Sequence, residues 1–325
     1  MKKSTIVQIV IIGLILVIIG VAAYRLIRWN SGAYNKEDTV EQIDPSEFDV
    51  EVLDMIIPME SSRFEGHEDD GELTILCIGN NPFTDDRSSK GLANLIGEKT
   101  GGKVIDIAFP QSSTCYHNVP ISTSYPWDHY NLPSIGVALL SGEFKPMESA
   151  YNYVEEEEKE IYRESIDAIK SVDMNKVDVL VIMYDSTDYN LGMPCDNEEV
   201  PTDLAAFTGG LRYFLDTVNE NWPFIRTFVM TPTYAEYRDE DGKLYSGTTK
   251  DIGNGTLPYY VQKEIDATIG CGCSLIDNYY GTINEGNYKE YMVDHMHYND
   301  AGRELLADRI AYVINNNMIT VKSPD

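Results

Sequence analysis

Val177-Asp178-Val179-Leu180-Val181-Ile182-Met183 is an almost unbroken apolar run rich in β-branched residues. Such a run reads as a strand covered on both faces, the kind found in parallel sheets. Before it, residues 155–169 read as a helix, and the Glu155–Glu158 run at its start as a solvated first turn favoured by the helix dipole. After it, residues 201–218 give a helix with Phe207, Leu211, Phe214, Leu215 and Val218 at core spacing. The alternation continues in both directions. Residues 73–78, ending at Gly79, form a strand, and residues 88–99 a helix with Leu92, Leu95 and Ile96 on one face and Gly101-Gly102 as its stop. Strands follow at 104–109, 225–230 and 274–276, and helices near 259–269 and at 302–314. Segments 110–132 and 233–257 read as long loops. Strands that alternate with helices and are mostly apolar throughout predict an α/β domain over residues 71–325, a mostly parallel sheet between two helical layers. Sites in such folds gather at the carboxyl ends of the strands.

The first 28 residues differ from the rest. Residues 6–23 are nearly all apolar, with Lys2 and Lys3 before them and Arg25 and Arg28 after. That length matches the ~20 residues needed to span a bilayer core, so a single transmembrane anchor is expected over 1–28. A cleaved signal peptide is the competing reading, with Val21 and Ala23 suiting a cleavage site. Residues 29–70, polar and acidic, read as a stalk that holds the domain outside the cytoplasm. Beyond residue 28 there are 21 basic residues against 53 acidic ones and no Lys/Arg cluster. This disfavours nucleic acid, which needs a basic surface. Five scattered cysteines do not make a disulfide scaffold, and Cys271-Gly272-Cys273 lacks a second ligand pair at zinc spacing. No cofactor or resident metal is expected.

Four segments lie where a site belongs. Gly79-Asn80-Asn81-Pro82-Phe83, Pro110-Gln111-Ser112-Ser113-Thr114 and Tyr184-Asp185-Ser186-Thr187-Asp188 follow three of the strands, and Asp294-His295-Met296-His297 precedes the last helix. In an Asp-x-x-His pair the carboxylate fixes the imidazole tautomer and stabilises its cation, which makes the histidine a general base. The order of these blocks resembles the SGNH (GDSL-like) hydrolase family. Asp294-His295-Met296-His297-Tyr298-Asn299-Asp300-Ala301-Gly302 is similar to that family's Asp-x-x-His-Pro-Asn-x-x-Gly, with Tyr298 in place of Pro. The resemblance covers residues 72–315 and implies the flavodoxin-like three-layer SGNH fold, with His297 as base and Asp294 as its orienter. The other blocks depart from the pattern. Asn81 stands at the nucleophilic Ser, Gln111 at the oxyanion Gly and Thr187 at the oxyanion Asn.

An amide nitrogen is not a nucleophile under a histidine base, so the usual acyl-enzyme route is closed at Asn81. Three routes stay open. A displaced hydroxyl (Thr84, Ser88, Ser112 or Ser113) attacks, or His297 activates water, or the domain has given up catalysis. Asp294, His295 and His297 with Asp185 or Asp188 also form a candidate zinc set, against which stands one histidine lining a cleft with the other exposed. Tyr116, Tyr125, Trp127, Tyr130, Tyr279 and Tyr280 fall in loops, where they either stack on sugar rings or pack the loops. The resulting expectation is a single-pass, extracytoplasmic hydrolase acting on acyl or acetyl esters of glycans or lipids. The alternative is an inactive surface module that binds glycan or a partner protein.

Overall fold

The computed structural model describes residues 54–67, 69–121 and 125–323. The expected anchor (1–28) and most of the expected stalk lie outside the described residues. Among the described residues no helix is long and apolar enough to cross a membrane.

In chain order the elements are β1 (Met59–Glu60), β2 (Thr74–Gly79), α1 (Asn81–Thr84), α2 (Leu92–Thr100), β3 (Lys103–Asp106), α3 (Leu132–Ser141), α4 (Lys145–Ala150), α5 (Lys159–Ser171), β4 (Val179–Met183), α6 (Thr187–Asn190), α7 (Phe207–Asn221), β5 (Arg226–Met230), β6 (Glu236–Arg238), β7 (Leu244–Ser246), α8 (Leu257–Gly270), β8 (Ser274–Ile276), α9 (Asn278–Gly281), α10 (Tyr288–Tyr291), α11 (Asp300–Asn317) and β9 (Thr320–Val321). The main sheet runs β3-β2-β4-β5-β8, with every neighbouring pair parallel. Side chains alternate across a strand. Leu76, Ile78, Leu180 and Ile182 therefore enter a core with Tyr162, Leu211 and Phe214, whereas Ile75, Cys77, Val179 and Val181 enter the opposite core with Leu92, Leu306 and Ile310. Two buried faces on one sheet explain why these strands read as continuous apolar runs.

Three boundaries differ from the sequence reading. The domain begins before residue 71: β1 pairs in parallel with β9, and Met55 bridges antiparallel to Leu275 along the edge of β8. α7 starts at Phe207 rather than near 201, and α5 starts at Lys159 rather than 155. The segment that reads as a loop up to residue 132 is followed at once by α3 and α4, which the apolar pattern does not reveal. Gly136 interrupts that pattern because it sits against Phe214, where even a Cβ would lie 2.9 Å from the ring.

Candidate active site

The strand order reverses direction between β2 and β4, and the crevice beyond their carboxyl ends is where open α/β sheets bind ligands. Gly79 ends β2 and α1 begins two residues later, so Asn80 and Asn81 sit at the crevice; Asp185 follows β4 on the other side. The segment before α11 returns across the same opening. There Asn299 caps α11 by accepting a hydrogen bond from Gly302 N at 3.0 Å. A Cβ on Gly302 would lie 2.3 Å from the Tyr291 carbonyl oxygen, so this Asn-x-x-Gly serves to dock the helix start.

The Asp294–His297 pair is formed. His297 Nδ1 lies 2.8 Å from Asp294 Oδ2, and Asp294 Oδ1 accepts from the Met296 and His297 backbone N–H groups at 2.9 Å each. Burial acts to raise the Asp294 carboxyl, but these donors and the imidazole outweigh it and hold it below its ordinary value. Burial likewise acts to lower His297. The Asp294 hydrogen bond, with the charges of Asp85 and Asp185, overcomes that and raises the imidazole above its usual value. With Nδ1 held by Asp294, Nε2 is left open to the cleft, and among the described residues it has no hydrogen-bond partner.

That cleft, roughly 650 Å³, is lined by His297, Asn81, Thr84, Asp85, Gln111 and Thr187, with Tyr125 and Trp127 forming an aromatic wall. Asn81 bridges its floor: its Oδ1 accepts from Gln111 N at 2.9 Å and its Nδ2 donates to Asp185 Oδ2 at 2.7 Å. Asp185 also accepts from Asn80 Nδ2 at 2.8 Å and Thr187 N at 2.9 Å. The N–H groups that could face an oxyanion are thus occupied by an amide and a carboxylate. Gln111 has φ of 55°, the left-handed region that glycine tolerates best, which accounts for the glycine expected by resemblance at this position. Gln111→Val should cost about 1–3 kcal/mol in urea unfolding, because a β-branched residue resists that conformation. Gln111→Gly should cost less than Gln111→Val, and equal losses would contradict the strain.

No family model and no curated protein sequence matches the chain. Solved structures do. One is similar at 20% identity, covering 77% of this chain and 99% of its own, with a TM-score of 0.56. A Lactobacillus plantarum protein is similar at 12% identity, covering 75% and 97%, with a TM-score of 0.51. A possible lipase from Chitinophaga pinensis is similar at 13% identity, covering 75% and 98%, with a TM-score of 0.49. The first two likenesses show a shared fold, a mostly parallel sheet between helical layers. At these identities the likeness is one of fold, so the chemistry of this domain has to be read from its side chains.

The candidate nucleophiles separate clearly. Ser112 and Ser113 are buried, and their hydroxyls donate to Gly79 O at 3.3 Å and Cys115 O at 2.8 Å. Neither lines the cleft. Ser88 lies in an exposed turn whose hydroxyl accepts from Lys90 N at 3.2 Å. Thr84 alone among them lines the cleft, with no hydrogen bond to His297.

The zinc set is not assembled: among the described residues no three His, Cys, Asp or Glu side chains are grouped to hold a metal. His295 Nδ1 lies 3.7 Å from Asp294 Oδ1, and Asp188 is buried away from the dyad. Asp188 accepts from Thr114 N at 3.1 Å and from the Cys115 thiol at 3.4 Å. Burial outweighs both bonds and pushes its carboxyl up to about 7. Because its folded-state pKa is raised, Asp188 contributes stability that is full below about 4 and is lost as pH rises through about 7. Asp188→Asn should remove that loss, about 2–3 kcal/mol between pH 5 and pH 8 in urea unfolding, and an unchanged pH slope would contradict the burial.

The loop aromatics divide. Tyr125 and Trp127 line the cleft, 5.3 Å apart between ring centroids, whereas Tyr116, Tyr130 and Tyr279 are buried packing residues. Two acidic residues join the cleft that the sequence reading left out of it. Glu158 accepts from Gln111 Nε2 at 2.9 Å, which corrects its assignment to a purely solvated turn, and Asp85 lines the wall beside His297.

Proposed function

We propose that this chain is a membrane-anchored, extracytoplasmic hydrolase of acyl or acetyl esters, on glycans or lipids, in which His297 activates water directly. The observation that carries this reading is the imidazole itself. Asp294 holds its Nδ1, its other nitrogen is open to a ligand-sized cleft, and among the described residues no side-chain hydroxyl is bonded to it. A base so oriented takes a proton from water as readily as from serine. Thr187 lines the cleft near the base and supplies a hydroxyl for the developing oxyanion. Tyr125 and Trp127 offer the flat faces that suit sugar rings. The apolar run at residues 6–23 supports the anchor.

Asn81 favours a second reading. By occupying Gln111 N and Asp185 it suits a cleft that binds glycan without turning it over. A panel of acetyl and longer-chain aryl esters, tested on full-length protein in detergent and on His297→Ala, separates the two. Turnover that depends on His297 supports the hydrolase; background rates in both proteins, with glycan binding retained, support the module.

A further inference from the structure

We infer that Asp85 is the general acid of this cleft, delivering a proton to the leaving oxygen while His297 withdraws one from water. The inference rests on the water-activating reading above. Asp85 closes α1, its backbone N–H donating to Asn81 O at 2.9 Å, so it stands one helical turn beyond the residue in the nucleophile's place and on the same side. The neighbouring carboxylates are all engaged. Asp86 holds Arg303 at 3.1 Å, Asp185 takes three N–H donors, and Asp294 takes His297. Among the described residues the Asp85 carboxylate has no hydrogen bond or ion pair, and it lines the cleft with His297. A carboxyl group with no fixed donor can carry a proton of its own.

Its surroundings favour that. Asp85 is exposed at the rim of the cleft, yet the protein packed around its carboxyl raises it to about 6; His297 and Arg303 act against the rise, while Asp185 and Asp294 add to it. His297 in turn is raised partly by Asp85. The two groups therefore titrate as a pair that holds a single proton between about 6 and the raised His297 value. With that proton on Asp85, the neutral imidazole is the base and the neutral carboxyl the acid.

In the step itself, the water oxygen bonds to the ester carbonyl carbon as its proton passes to Nε2. The tetrahedral intermediate then collapses, the bond to the alcohol oxygen breaks, and the Asp85 proton goes to that oxygen. A carboxylic acid and an alcohol leave, and the proton gained by His297 returns to Asp85 through solvent. The rate should be bell-shaped in pH, falling on the acid side as His297 becomes charged and on the alkaline side as the pair loses its shared proton.

The test compares two esters of one acyl group, ethyl and p-nitrophenyl, on the full chain in detergent. Nitrophenolate leaves without protonation and ethoxide does not, so Asp85→Asn should raise the preference for the nitrophenyl ester about 100-fold and remove the alkaline limb for the ethyl ester. An unchanged preference, or an alkaline limb that persists, overturns the acid role. If wild-type protein turns over neither ester, the proposed function fails, and the acid role with it. An NMR titration of the His297 imidazole then tests the pairing by itself. Asp85→Asn should lower the His297 pKa, and an unmoved value shows that the two groups are not coupled.

Discussion

Replacing His297 with Ala should lower kcat/KM for ester hydrolysis by about 10²–10⁴-fold, the contribution a positioned general base makes. That loss corresponds to about 3–5 kcal/mol of transition-state stabilisation. The size follows because, among the described residues, no second imidazole lines the cleft. His295 is turned edge-on to His297 with ring centroids 6.3 Å apart, and burial lowers its pKa. The wild-type rate should climb on the acid side through about 6, where the Asp85–His297 pair gives up the first of its two protons. Asp294→Asn should move that limb to lower pH and reduce the rate as well, because the imidazole loses both its orienting acceptor and the charge that stabilises its cation. Initial rates across pH decide the matter, and a His297→Ala variant with the wild-type profile would place the base elsewhere.

The second large effect concerns the fold beneath the site. Gly79→Ala should destabilise the domain by about 4 kcal/mol or more, among the largest losses a single substitution produces. Gly79 is paired in register with Met183. A Cβ there would lie 1.8 Å from the Met183 carbonyl oxygen and 2.8 Å from its carbonyl carbon. Both atoms belong to the backbone of the central sheet, so no side-chain rotation relieves the contact, and β2 must part from β4 at the crevice. Urea unfolding followed by circular dichroism reads the loss directly. A midpoint close to wild type would show that the two strands do not approach so closely.

How far the sequence could be read follows from how local each signal is. The strands around 74–79 and 179–183 are legible because a strand buried on both faces has to be apolar at every position. The Asp294–His297 pair is legible because three residues of spacing and one cap place both side chains. Gln111 reveals itself through resemblance, since a position that requires φ of 55° is one that glycine fills elsewhere. The helix at 132–141 is hidden by Pro133 and Gly136, residues explained by a helix start and by the Phe214 ring rather than by any periodic pattern. Asp85 is hidden for a different reason. Nothing next to it in the chain marks it as functional, and its role appears only when α1 and the segment before α11 close on one cleft. The same holds for Asn81, whose amide reads as a lost nucleophile and is seen in the structure to tie Gln111 to Asp185.

The central claim is a working base without a side-chain nucleophile. Rapid-mixing release of p-nitrophenol from an acetyl ester, with intact-mass analysis of protein quenched during turnover, tests it most directly. Direct attack by water predicts release that is linear from the first turnover, protein without an acetyl adduct, and loss of the signal in His297→Ala. A burst of one equivalent, with acetyl on Thr84 or another hydroxyl, would contradict it and return the domain to covalent catalysis.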